Sequence, residues 1–214
     1  MDPRKQRSRD RLYAAALTLA AAHPISTLTV TQVAEAAGVH RSTFYEHADS
    51  PQALVEAALT AELDRLRDEL LEDRADPATA LTTVTAGVLE HILRYREIYR
   101  RELADGGGAL HAMLSRHFRG TTVALLREGR IGIPIDADGA SASDVDDAAA
   151  RFLADGTVGV IDGWLQHPHP RVEDFLRIYL ALLPSWWPHR PRQARLHDVT
   201  DSPPPPRAER RSPT

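Results

Sequence analysis

Apolar positions recur along most of the chain at intervals of three and four, the spacing of one helix face. Leu12, Ala15, Ala16 and Leu19 set this stripe first, and similar stripes follow to Leu183. The pattern predicts helices over about 8–23, 29–37, 41–47, 50–73, 77–95, 97–104, 109–128, 143–166 and 171–183. Pro24 ends the first, Gly38 the second and Pro184 the last. Ser50-Pro51 reads as an N-cap followed by proline at the first helical position, and Asp76-Pro77 repeats the signal. Gly106-Gly107-Gly108 and residues 131–139 read as loops. No stretch alternates as a strand and no repeat is visible, so the expected fold is all-α.

Length and composition narrow the function. A chain of 214 residues holds one large domain or two small ones. It has no cysteine, which excludes disulfides, thiolate zinc sites, iron–sulfur clusters and cysteine nucleophiles. The longest apolar stretch, Leu12–Ala22, is too short to span a bilayer. With Arg9–Arg11 before it and Ala20–Ala22 at its end it also resembles a signal peptide. Its alanine content, Tyr13, Thr18 and helical periodicity favour a packed amphipathic helix in a cytoplasmic protein.

The formal net charge of −4 does not suit a polybasic nucleic-acid coat. The charge is uneven, however. Residues 1–11 carry five basic and two acidic side chains, whereas residues 54–188 carry 14 basic and 22 acidic. A basic arm on an acidic body suits a phosphate-touching end, though a merely solvated terminus would look the same. From about Pro188 the chain turns to Pro, Arg and Ser, with four prolines at 203–206, and is expected to be disordered.

Residues 29–47, TVTQVAEAAGVHRSTFYEH, carry the most chemistry. Thr29 can cap a helix that contains Val33, Ala34 and Ala37. Small Ala34 admits a neighbouring helix, and Gly38 supplies the positive φ of a tight interhelical turn. The short helix from about Arg41 buries Phe44 and leaves Arg41, Ser42, Thr43, Tyr45 and His47 around its outer face. Arg can pair bidentately with guanine, and the hydroxyls and imidazole can reach bases or phosphates. The same corner also occurs inside helical proteins that never touch DNA.

Residues 9–54 resemble the N-terminal DNA-binding domain of the TetR family of bacterial transcriptional regulators. The matching residues are Leu12, Ala15, Ala16 and Leu19, then Leu28-Thr29-Val30, Val33-Ala34 and Ala37-Gly38-Val39. Ser42-Thr43-Phe44-Tyr45, His47 and Leu54 complete the match. Residues 151–165, RFLADGTVGVIDGWL, are similar to the penultimate helix of one subgroup. The resemblance implies base or near-base contacts at Arg41, Ser42 and Thr43 and phosphate contacts at Tyr45 and His47. It implies no catalytic residue, no metal and no cofactor.

Some positions depart from the family's pattern. His40 stands where Ser or Thr usually caps the recognition helix, and Ala20 and Ala48 stand where aromatics are common. Pro51 replaces the usual phosphate-binding Lys, and Glu46 faces a polyanion. Both changes favour modest affinity, or compensation from the N-terminal arm.

The expected organisation is a flexible basic arm (1–8), a three-helix helix-turn-helix domain (9–49), a larger helical dimerisation and effector domain (50–188) and a disordered tail (189–214). The resemblance implies a homodimer through helices 143–166 and 171–183. The first offers Phe152, Val158, Val160, Ile161, Trp164 and Leu165, and the second Phe175, Leu176, Ile178, Tyr179, Leu180, Leu182 and Leu183. These residues could instead fill their own subunit's core. Gly156, Gly159 and Gly163 share one helix, which suits close helix crossing better than ligand space. An unknown small-molecule effector is expected between helices 77–95 and 109–128, with His91, Tyr95, Tyr99, Met113, His117 and Trp164 as candidate lining. His167-Pro168-His169 reads as a helix-ending turn before a metal site.

The leading expectation is a ligand-responsive homodimeric repressor of an inverted-repeat operator on double-stranded DNA, with no membrane partner. A regulator controlled by a protein partner is the first alternative. A helical enzyme is the second, and no Ser/His/Asp set, paired-carboxylate motif, phosphate loop or HExxH stands out for it.

Overall fold

A computed structural model describes residues 2–72, 77–104 and 108–187. The expectations placed on Asp76, on Gly106 and Gly107 and on the 189–214 tail lie outside the described residues. Among the described residues the fold is all-helical: nine α-helices and one short 3-10 turn, with no strand. The helices are α1 (Pro3–Ala22), α2 (Val30–Ala37), α3 (Arg41–Tyr45), α4 (Pro51–Glu72) and α5 (Pro77–Arg94). They continue with α6 (Arg96–Leu103), α7 (Ala109–Arg127), α8 (Ala142–Leu165) and α9 (Val172–Leu182). The 3-10 turn Ile25–Thr27 joins α1 to α2.

The arm differs from the expectation. It is helical from Pro3, because the Asp2 carboxylate accepts the Arg4 backbone N–H at 2.9 Å and Pro3 presets the first helical φ. Arg4, Lys5, Arg7 and Arg9 therefore ride on the first turns of α1 instead of a flexible strand of chain.

Phe44, Leu12, Ala16, Ala20 and Val33 close the small N-terminal domain, each with no exposed surface. Leu54, Val55 and Leu59 of α4 complete that cluster. The same cluster continues through Leu63, Ile92, Ile98 and Tyr99 to Val158, Ile161 and Phe175. One apolar core thus passes from the first domain into the second along α4. A smaller cluster, Leu70, Leu81, Leu125 and Ile131, sits at the far end of α4. No helix among the described residues is long and apolar enough to cross a membrane.

Candidate functional site

The α2–α3 corner is built by local hydrogen bonds. Thr29 and Gln32 form a reciprocal capping box: the Gln32 N–H donates to Thr29 Oγ1 at 3.2 Å, and the Thr29 N–H donates to Gln32 Oε1 at 2.9 Å. Gly38 ends α2 at φ 60°, and its carbonyl accepts Arg11 Nη2 at 2.9 Å. That bond pins α1 to the turn. A Cβ at Gly38 would lie 2.4 Å from Arg11 Nη2.

Phe44 anchors α3 and meets Tyr45 edge-on at 5.6 Å between ring centroids. Arg41 and Ser42 are exposed, Tyr45 is 53% exposed, and Thr43 is half-buried. His40 gives α3 no side-chain cap, as its departure from the family's pattern suggested. The helix stops at Tyr45, so His47 lies beyond its end and not on the expected outer face. It is half-buried, with a buried Nε2 that has no hydrogen-bond partner. Burial first, and Lys5 next, push its pKa down; Glu46 opposes them and Arg9 adds to them. The shift favours the neutral imidazole in the free protein.

The same electrostatics locate the arm: Lys5 and Arg9 stand close enough to act on His47 at the end of α3. Arg9 also lies 5.7 Å over the Tyr13 ring. At the start of α4, Ser50 Oγ accepts the Ala53 N–H at 3.1 Å and Pro51 occupies the first position.

Helix α6 ties this domain to the rest. At its start Arg96 Nη2 donates to the His167 carbonyl at 3.0 Å, just past the end of α8. Further along α6, Arg101 Nη2 donates to the carbonyls of His23, at 2.9 Å, and Ala20. Glu102 Oε1 accepts the Ile25 N–H at 3.2 Å. Between these ends the fully buried Tyr99 hydroxyl meets His91 Nε2 at 2.9 Å. His91 Nδ1 lies 3.2 Å from Glu62 of α4.

A cavity of about 90 Å³ opens among α4, α5, α7, α8 and α9. Leu81, Thr85, Val88 and Leu89 of α5 and His117, Phe118, Thr121 and Thr122 of α7 form two walls. Thr157 and Ile161 of α8, with Phe175 and Tyr179 of α9, form another. Helices α5 and α7 do enclose it, but of the six expected lining residues only His117 reaches it. His91 and Tyr99 are spent on each other, and Met113 packs in the main core. Tyr95 lies against that core with its ring edge-on to His91 at 5.1 Å. Trp164 faces a separate groove and donates its indole N–H to the Arg171 carbonyl at 3.1 Å. Helix crossings consume the conspicuous aromatic and imidazole side chains, and the threonines set among apolar residues of α5, α7 and α8 are the sequence signal of the lining.

The outer faces of α8 and α9 are split. Val158, Ile161, Leu165, Phe175 and Leu183 are buried in the subunit's own core. Phe152, Ile178 and Leu182 are 78%, 58% and 64% exposed. Gly156, Gly159 and Gly163 are exposed, and a Cβ at any of them would meet nothing within 4 Å. Among the described residues no helix crosses closely there, and none of the three glycines lines the cavity. At the end of α8 His167 Nδ1 accepts the His169 N–H at 3.3 Å, so that imidazole is tied into the turn.

Residues 12–58 match the model of the tetR family of bacterial regulatory proteins. Among curated proteins none matches the chain. Among solved structures, a TetR transcriptional regulator from Streptococcus agalactiae 2603V is similar with a TM-score of 0.59 and 21% identity, over 84% of this chain and 95% of that one. A tetR-family regulator from Streptomyces coelicolor has a TM-score of 0.57 and 19% identity, over 82% of this chain and 78% of that one. RolR, solved in complex with the ligand resorcinol, has a TM-score of 0.52 and 19% identity, over 86% of this chain and 90% of that one. At these identities the likeness is one of fold.

Proposed function

We propose that this chain, whose residues 12–58 match the model of the tetR family of bacterial regulatory proteins, is a DNA-binding transcriptional regulator that works as a ligand-responsive homodimeric repressor of an inverted-repeat operator. The observation that carries the reading is α3 itself: a short helix held from behind by buried Phe44, with Arg41, Ser42 and Tyr45 turned outward. Arg41, Ser42 and Thr43 take base edges in the major groove, and Tyr45 and His47 take phosphates. Lys5 and Arg9 add backbone contacts beside them. Residues 9–49 act as the reading head and residues 50–188 as the dimerisation and effector body.

The exposed Phe152, Ile178 and Leu182, and the open surface over the α8 glycines, support a twofold partner packed on α8 and α9. Such a four-helix interface sets two α3 helices about one DNA turn apart, which is why the operator is an inverted repeat. Ligand in the α5–α7 cavity would favour a conformation with the wrong spacing. The Arg96, Arg101 and Glu102 bonds of α6 offer a physical route from the end of α8 to α1. RolR's resorcinol complex supports control by a small molecule. The modest cavity, against roughly 300–1,000 Å³ for drug-sized clefts, favours control by a protein partner as the second reading.

Selection of bound DNA from a random pool tests the first reading, followed by a small-molecule screen for release. Arg41→Ala should lose about 1–3 kcal/mol of operator affinity and relax specificity, while Tyr45→Phe weakens binding to all sequences. An Arg41→Ala protein that binds as tightly and selectively as the parent overturns the role of α3. Intact operator binding that no small molecule releases turns the assignment to a protein partner.

A further inference from the structure

One stripe of α8 carries both a protrusion and a recess. Phe152, Gly156, Gly159 and Gly163 follow at intervals of four, three and four, so they share a helix face. Phe152 stands at its head, 78% exposed and outside both apolar clusters. The glycines after it leave the stripe flat, and a Cβ at any of them would meet nothing within 4 Å. Glycine inside a helix is destabilising relative to alanine, and no described neighbour requires it here.

Beyond Gly159 the surface opens into a groove of about 460 Å³ between α8 and α9. Val160, Gly163, Trp164 and His167 line one side, and Phe175 and Ile178 the other. Its aromatic floor is fixed: Trp164 and Phe175 meet edge-on at 5.1 Å, and the indole N–H is spent on the Arg171 carbonyl. Arg177 on the rim donates to Asp174 at 2.8 Å. Such a groove suits an apolar occupant, and a cavity of roughly 150 Å³ already holds a benzene ring.

Symmetry selects the occupant. Phe152 lies about 12 residues from the groove's middle along α8, about 18 Å at 1.5 Å per residue. A second copy running antiparallel about a twofold axis beside Gly159 lays each Phe152 over residues 163–167 of the other and brings the glycines face to face. One patch therefore carries both halves of its own complement, which is the condition for an isologous interface. Charge agrees. Arg151 is taken by Asp147 at 2.9 Å, but Asp155 is exposed on the same side as Phe152. It falls beside the groove rim of the other copy, where Arg171 has only an exposed pair with Glu173 at 3.5 Å.

Resting on the homodimer reading above, we propose that Phe152 of each copy seats in the α8–α9 groove of the other, against Trp164 and Ile178, and that this exchange fixes the register of the dimer. The register in turn sets how far apart the two α3 helices stand.

Sedimentation equilibrium of the 214-residue chain tests this. Phe152→Ala should weaken the dimer at least tenfold, whereas Ile135→Ala, at another exposed apolar residue, should not. Gly163→Leu, which fills the groove from α8, should weaken it likewise while circular dichroism shows intact helices. The chain has no cysteine, so introduced thiols are the only ones. Phe152→Cys combined with His167→Cys should give a covalent dimer with a short bis-maleimide, and neither single variant should. A parent protein that stays monomeric overturns the homodimer reading and the exchange with it. A parent dimer that Phe152→Ala leaves equally tight keeps the homodimer reading and overturns the exchange, which assigns the groove to a different apolar partner. Cross-linking through Phe152→Cys alone, or none in the dimeric double variant, overturns the register.

Discussion

Arg101 of α6 donates through Nη2 to the main-chain oxygen of His23, 2.9 Å away, and so caps the carboxyl end of α1 from the other domain. The same nitrogen reaches the Ala20 carbonyl, and the buried Arg101 Nε lies 3.5 Å from Glu102 Oε1. A helix end left without such partners carries unsatisfied carbonyls. Arg101→Ala should therefore cost about 1–3 kcal/mol in urea unfolding. It should also blunt the response of operator binding to ligand, because α6 loses its grip on α1. An unchanged unfolding midpoint would show that water caps α1 equally well.

Gly38 and Gly129 separate two costs at a helix end. Both have positive φ, 60° and 66°, but a Cβ at Gly129 meets nothing within 4 Å, whereas at Gly38 it meets Arg11 Nη2. Gly129→Ala should lose roughly 1–2 kcal/mol from backbone strain alone. Gly38→Ala should lose more and should also weaken DNA binding, because Arg11 must release the turn that aims α3. Equal losses in thermal melts of the two variants would mean that Arg11 moves aside freely.

Lys5 and Arg9 lie near His47 at the end of α3, and on the proposed reading they supply the phosphate contact that Pro51 lacks. Each Lys5→Ala or Arg9→Ala substitution should lower the steepness of log affinity against log salt by about 1 and leave sequence preference intact. Fluorescence anisotropy of operator and scrambled duplexes across a salt series measures both. A slope unchanged in the double variant would remove α1 from the interface.

His117 makes stability depend on pH. Its folded pKa, about 4, lies below the ordinary 6.5 because burial outweighs Asp64. The unfolded chain therefore binds a proton that the folded chain refuses. The contribution is complete above pH 6.5 and is lost as pH falls toward 4. The protein should be about 2 kcal/mol less stable at pH 5 than at pH 7 from this residue alone. His91, pushed down by burial beside Glu62, acts in the same direction. Urea titrations at the two pH values measure the loss, and His117→Gln should flatten it. A slope that survives the substitution assigns the effect elsewhere.

Periodicity and punctuation made the helices readable from residues alone. Every expected helix with described boundaries is present, because apolar spacing and caps such as Thr29, Ser50 and Ser141 act within a few residues of chain. The start of α1 follows the same local rule: Asp2-Pro3 carries the same cap-then-proline signal as Ser50-Pro51. The corner from Thr29 to Tyr45 was equally legible, since Gly38 and Phe44 act locally to shape it.

Long-range packing decided the rest. Whether Tyr99 faces a ligand or His91 depends on where α6 crosses α5, and no spacing along either helix states that. The glycines of α8 looked like a close crossing, yet the chain's other helices pack on its opposite side. The cavity was hardest to foresee because its walls come from five helices, α4, α5, α7, α8 and α9. Sequence determined the local elements and the DNA-reading corner, since backbone capping and side-chain periodicity are short-range. Tertiary structure alone decided which buried polar groups met each other and which were left facing empty space.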